Sequence, residues 1–373
     1  MFTRSKILAA LSLFACTAAL GQNSGSNAAP TQHSTENQFP SVFSNPNVPS
    51  TSGISPQLLN SANYGNAAAQ AQVGLAYALG NGVPHDDAVA AKWFLRSAVG
   101  GSSDGQFMMG WMYNNGRGVP EDNQQALRWF KVAADHGHPW AQAALAALYI
   151  DARGIPPNYS EAMKLARKAA KHRIATAEFD LGSIYLFGLD VPQNSKEAIR
   201  WYSKAAEHGN RDAMVQIGIT YLNGNGLPRD LHEAEHWLRM AAEKGSPEGQ
   251  YDLGYLYEHL PSPDYVAAAT WYQAAAGQGY GFAQINLAHL YETGRGVSKD
   301  PAKAFALNEA AAKQGIPAAQ ANLGMCYERG FGVERDPELA TSWYKRAAAQ
   351  GDTLAQSRLP SLIAKQPRES ASH

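Results

Sequence analysis

His232-Glu233-Ala234-Glu235-His236 has the spacing of a zinc-peptidase helix. On a helix this pattern sets two imidazoles on one face, with Glu233 as general base and Glu258 as a conceivable third ligand. Ser342-Trp343-Tyr344-Lys345 matches the S-x-x-K of penicillin-recognising serine enzymes, yet the chain has no K-T-G and no S-D-N. His136, His172 and His208 recur 36 residues apart. On stacked hairpins that spacing leaves them on the order of 10 Å apart, too far to share a zinc. They are expected to assist helix C-termini, where a cation is favoured. The only cysteines are Cys16 and Cys326. One lies in the leader described below, so no intramolecular disulfide is expected.

A longer period explains these lures. Gly or Ala at 74, 110, 146, 182, 218, 254, 288 and 324 is followed three residues later by Tyr each time, from Tyr77 to Tyr327. The step is 36 residues except for one of 34. A second series reads Trp93, Trp129, Leu165, Trp201, Trp237, Trp271, Leu307 and Trp343, with Ala five residues after each. Fixed periods of this length mean stacked supersecondary units. Each unit reads as helix, glycine turn, helix. Asp86, Asp122, Asn158, Asn194, Asp230, Asp264, Asp300 and Asp336 are placed to cap the second helix. A glycine such as Gly137 closes it, and Arg173 breaks that closing series, which predicts a strained residue there. Gly is expected to admit a neighbouring helix, with the repeat Tyr filling the gap beyond. Tyr185 and Trp201 are assigned to the core. His232 and His236 fall where other units carry Lys196 and Arg200, on the solvated outer helix, so no metal and no cofactor are expected.

The fold class predicted is all-α: an α/α solenoid of about eight tandem helix-loop-helix repeats forming a superhelix, over 56–364. Units start near 66, 102, 138, 174, 210, 246, 280 and 316. Pro56 to Asn63 reads as a lone second helix at the front. A ninth first helix begins at Thr353 and is expected to be limited by Pro360. Residues 365–373 read as a frayed tail.

Ahead of the array, Arg4 and Lys6 precede an apolar stretch from Ile7 to Ala19, and Ala19-Leu20-Gly21 supplies small residues for cleavage before Gln22. Residues 1–21 are therefore expected to be a signal peptide, with the mature chain in a bacterial periplasm or envelope, or secreted. The alternative is a lipid anchor at Cys16. Residues 22–55 are polar, read as a disordered linker. No apolar run approaches about 18 residues, so no membrane span is expected. Lys plus Arg total 31 against 32 Asp plus Glu, which predicts no overall field that would recruit nucleic acid or an anionic membrane.

The motifs Leu253-Gly254-x-x-Tyr257, Gly224-x-Gly226 and Ala198-x-x-Trp201-Tyr202-x-Lys204-Ala205-Ala206 resemble the Sel-one-like repeat family, a relative of the tetratricopeptide repeat. The resemblance spans about 290 residues. It implies an adaptor or scaffold rather than an enzyme. Some secreted members are cysteine-rich and act on β-lactams, and this chain lacks their paired cysteines.

Recognition is expected on the first helices, along the stripe formed by positions two before, one after and five after each Gly/Ala. Trp111, Phe187 and Tyr255 are the proposed anchors, with Met108, Ile219, His289 and Arg329 beside them. Trp111 is thus expected off the core. The partner is a protein or peptide. The rival readings are a cell-wall or β-lactam hydrolase and a glycan- or peptidoglycan-binding module.

Overall fold

The eight capping residues do what their chemistry requires. In a computed structural model, which describes residues 53–152 and 155–365, each accepts a hydrogen bond from a backbone N–H two or three residues on. Asp86 Oδ1 and Val89 N, 2.9 Å apart, are one such pair. Each capping residue also donates its own N–H to the carbonyl of the repeat Tyr, at 2.8–3.1 Å, from Asp86 to Tyr77 through Asp336 to Tyr327. Loop and helix start are fixed by the same residue.

The described chain divides into two compact units, 53–210 and 211–365. The first holds α1 (Pro56–Asn63), α2 (Ala67–Leu79), α3 (Asp87–Val99), α4 (Ser103–Asn115) and α5 (Asn123–Asp135). It continues with α6 (Pro139–Asp151), α7 (Tyr159–Ala170), α8 (Ala175–Phe187) and α9 (Ser195–Glu207). The second unit opens with α10 (Arg211–Asn223), α11 (Leu231–Glu243), α12 (Pro247–Glu258), α13 (Tyr265–Gly277) and α14 (Gly281–Thr293). It ends with α15 (Pro301–Lys313), α16 (Pro317–Arg329), α17 (Pro337–Ala349) and α18 (Thr353–Lys365). Even-numbered helices are first helices, and odd-numbered ones are second helices. No strand occurs among the described residues, and the architecture is an α/α solenoid of helical hairpins. The expected signal peptide, the alternative Cys16 anchor, the expected linker up to residue 52 and the expected tail from residue 366 lie outside the described residues.

Within each unit a second helix packs on the first helices before and after it. First helices also meet directly, α2 with α4 and α6 with α8 in one unit, α10 with α12 and α16 with α18 in the other. Among the described residues no second-helix pair meets to a comparable extent. The first-helix layer is the tighter side.

Three places depart from the regular repeat. The helix beginning at Thr353 is not limited by Pro360 but runs through it to Lys365. Ala355 and Leu362 are buried against Tyr344 and Ala347, and that packing offsets the missing N–H. At the 34-residue step, the loop after α12 spans 259–264 instead of seven residues such as 116–122. His259 caps α12 at φ −110°, without the left-handed turn seen at Gly116. Arg173 takes φ 60°, where the other units place glycine.

Candidate functional site

The largest correction concerns which rings form the core. The six indoles of the Trp/Leu series are only half-buried, and the repeat tyrosines other than Tyr257 are likewise half-buried. The buried ring belongs to the residue after each Trp: Phe94, Phe130, Tyr202, Tyr272 and Tyr344 are almost wholly enclosed. These side chains face the repeat glycine. A Cβ added at Gly74, Gly110, Gly182, Gly218, Gly254 or Gly324 would lie 2.5–3.0 Å from that side chain, Leu238 in the case of Gly218. Where Ala replaces Gly, at 146 and 288, the equivalent partner is the small Ala166 or Asn308. The gap beyond the glycine is therefore filled by this residue and not by the repeat Tyr. Tyr185 and Trp201 sit at the edge instead, tied to cations: Arg167 donates to Tyr185 Oη at 2.8 Å, and Lys204 Nζ lies 4.2 Å from the Trp201 ring centroid.

A glutamine four residues before the Gly/Ala supplies a second element that the repeat pattern held and sequence reasoning missed. Gln70, Gln106, Gln142, Gln250, Gln284 and Gln320, with Gln356 in the same register before Pro360, each donate Nε2 to an alanine carbonyl of the preceding second helix, at 3.0–3.5 Å. Oε1 of four of them meets the cap residue of the following second helix. Gln278, Gln314 and Gln350 donate to Gln250, Gln284 and Gln320 at 2.8–2.9 Å, and His136 Nδ1 lies 2.9 Å from Gln106 Oε1. His208 reaches Glu178 in the same register at 2.6 Å. His136 and His208 thus cap their helices and also reach across to a first helix.

The enzymatic lures are dispersed. His232 and His236 are both exposed, and Glu258 accepts from Tyr272 Oη at 2.7 Å. Glu235 is held by Tyr257 and Arg239, the last two also bonded to each other. Among the described residues no group of three or more His, Cys, Asp or Glu is arranged to hold a metal. Ser342 and Lys345 line an open depression on the surface of α17 with Glu338, Thr341 and Arg346. Burial pushes the Cys326 thiol up to about 11, which denies it the thiolate a nucleophile needs.

The predicted anchors fall into two groups. Met108, Trp111, Ile219 and Tyr255 are buried, with 2%, 7%, 3% and 8% of their surface exposed. These residues are core within their own units, contrary to the expectation for Trp111. Tyr255 stacks on His259 at 3.9 Å between centroids. Phe187 is half-buried, whereas His289 and Arg329 are exposed. Met108, Trp111 and Phe187 belong to the first unit, and the other four to the second.

Around His289 and Arg329 the stripe stays open. Asn286, Asn322 and Met325 are half-buried and Thr293 is exposed. Polar groups behind them are fixed: Asn286 donates to Tyr272 Oη at 3.0 Å, and Tyr344 donates to Glu328 at 2.8 Å. Burial, then the charge of Glu258, holds the Tyr272 hydroxyl protonated far above its usual range, so it stays a donor to that carboxylate. Deeper along the stripe, burial pushes Asp252 up to about 8, with Glu248 adding to the effect. At neutral pH it is a buried neutral acid rather than an ionic contact.

Comparison with known proteins decides the family. The Sel1 repeat model matches residues 67–102, 103–138, 141–173, 175–210, 211–246, 247–280, 281–316 and 317–352. The chain belongs to the Sel1 repeat family. It is similar to a Sel1 repeat protein from Oxalobacter formigenes, at 30% identity and a TM-score of 0.64, over 82% of this chain and 90% of that one. It is also similar to a protective antigen of uropathogenic Escherichia coli, at 30% identity and a TM-score of 0.57, over 83% and 74%. No curated protein matches the chain. Sel1 repeat proteins generally act as scaffolds for protein–protein interaction and are typically non-catalytic.

Proposed function

We propose that this Sel1 repeat chain is an exported, non-catalytic scaffold that binds a protein or peptide along its first helices. Its open surface is the stripe of α14 and α16, where Asn286, His289 and Thr293 align with Asn322, Met325 and Arg329. One observation carries the reading. The Gly–ring pairs and the glutamine ties repeat from unit to unit, while these stripe positions vary and remain reachable by solvent. A position that packing does not dictate is available for recognition. The amides and carboxylates beside it, held by buried phenols, suit a peptide backbone with some basic character. Export rests on the charged start, the apolar stretch and the small residues before Gln22.

The test uses the mature chain as bait in an envelope extract, beside a His289→Ala/Arg329→Ala double variant and a His236→Ala control. Recovery of the specific partner should fall about fivefold or more with the double variant, the scale of losing an interface hot spot, and stay level with the control. Equal recovery by all three baits would remove the α14–α16 stripe from the account. Retention of an uncleaved chain in the cytoplasm would remove the export.

A further inference from the structure

The near-zero net charge conceals a segregation by layer within the first unit. Its second helices α3, α5, α7 and α9 carry ten Lys or Arg against five Asp or Glu. Its first helices α2, α4, α6 and α8 carry four acids and no Lys or Arg. In the second unit the second helices are balanced, five against five. The excess is ordered: Lys92, Arg128, Lys164 and Arg200 occupy one register position, the residue before the Trp or Leu of each repeat, and all four are exposed.

Packing does not require a cation at this position. The corresponding residues of the second unit are His236, Thr270, Ala306 and Ser342, on helices built the same way. Lys164 pairs with Glu161 at 3.2 Å and Arg200 with Glu197 at 3.6 Å. Both cations are exposed and sit three residues from their half-buried partners, so the pairs hold little free energy and are easily exchanged for a better partner.

We propose that this row on the second-helix face of the first unit docks an acidic, extended segment of a protein partner. Charge complementarity selects an anion, and the geometry of the row selects a flexible one. Second helices lie on the looser side, with a first helix between each pair, so neighbouring cations are separated by at least about one helix width, roughly 8–10 Å. An extended peptide covers about 3.3 Å per residue, so carboxylates three or more residues apart can follow the row. The row and the α14–α16 stripe lie on different helices, and the proposal stands whether or not that stripe binds.

The full mature chain should be titrated at low salt with a fluorescent peptide of about 20 residues carrying Glu at every third position, long enough to span the row. Binding should weaken steeply as salt is raised. Lys92→Glu, Arg128→Glu, Lys164→Glu and Arg200→Glu together should raise Kd at least about tenfold. Four reversals in the second unit, Lys303→Glu, Lys313→Glu, Lys345→Glu and Arg346→Glu, should change it less than about threefold, since none of these residues belongs to the row. If circular dichroism shows that the first set unfolds, the same four positions changed to Gln should still weaken binding about fivefold. Absence of binding, or equal loss from both sets, overturns the proposal. So does tighter binding of the wild-type chain to anionic phosphatidylglycerol vesicles or to duplex DNA than to the peptide.

Discussion

Gly182 faces Tyr202 so closely that an added Cβ would lie 2.5 Å from the ring. Two opposed effects act on Gly182→Ala. Alanine in a helix interior gains about 1 kcal/mol over glycine, whereas forcing a methyl into a packed core costs about 1–3 kcal/mol. The ring should win, and Gly182→Ala should destabilise the chain. In a Tyr202→Ala background the obstacle is gone, and the same substitution should stabilise by up to about 1 kcal/mol. The chain already holds this combination as Ala146 with Ala166. Urea unfolding of the two single variants and the double variant measures the change of sign. An identical effect of Gly182→Ala in both backgrounds would refute the pairing. Trp111 needs the opposite revision: being buried, it should not be replaceable by Ala without loss of fold stability.

Between helices, the glutamine tie joins three elements with one side chain. Gln250 on α12 donates to the Ala242 carbonyl of α11 and accepts from Gln278 at the end of α13. Gln250→Ala removes both bonds and leaves the Ala242 carbonyl to the Gly245 N–H alone, and each lost bond costs about 0.5–1.5 kcal/mol. Gln273→Ala, on the exposed side of α13, should stay within about 0.5 kcal/mol. Chemical denaturation compares them, and equal losses would show that the tie adds nothing. Hairpin boundaries were legible in the sequence because caps and glycines act locally, as Asp86 and Gly137 do. The tie was present at constant spacing but went unread, since a long amide ordinarily signals a solvated position. The buried ring was hidden by the larger Trp before it, and the burial of Trp111 depends on neighbouring helices that no local pattern reveals. Of the candidate site, the register of the stripe was readable, whereas its accessibility was not. Whether a stripe residue is reached by solvent depends on how closely successive first helices crowd it, which leaves His289 open and encloses Ile219.

At the scale of the whole molecule, the layers and not the totals carry the physics: a net charge of −1 is compatible with one cationic face. Stability should be distributed in the same neighbour-by-neighbour way. In the second unit each hairpin gains its enclosure from the next, and the last gains it from α18 alone. Leu362 and Ala355 cover Tyr344, Ala340 and Ala347, and Arg358 lies 3.7 Å from the carboxylate of Glu328 that Tyr344 holds. Ending the chain after Gly351 uncovers that patch. The missing burial is of the order of one large aliphatic side chain, about 2–3 kcal/mol. In a stack of nearest-neighbour contacts this loss should lower the opening free energy of α16 and α17 and fade towards α10 and α11. Native-state hydrogen exchange resolved by helix would show the gradient. A uniform fall in protection from α10 to α17 would instead mean that the second unit opens all at once, with α18 as much a part of its core as Tyr344.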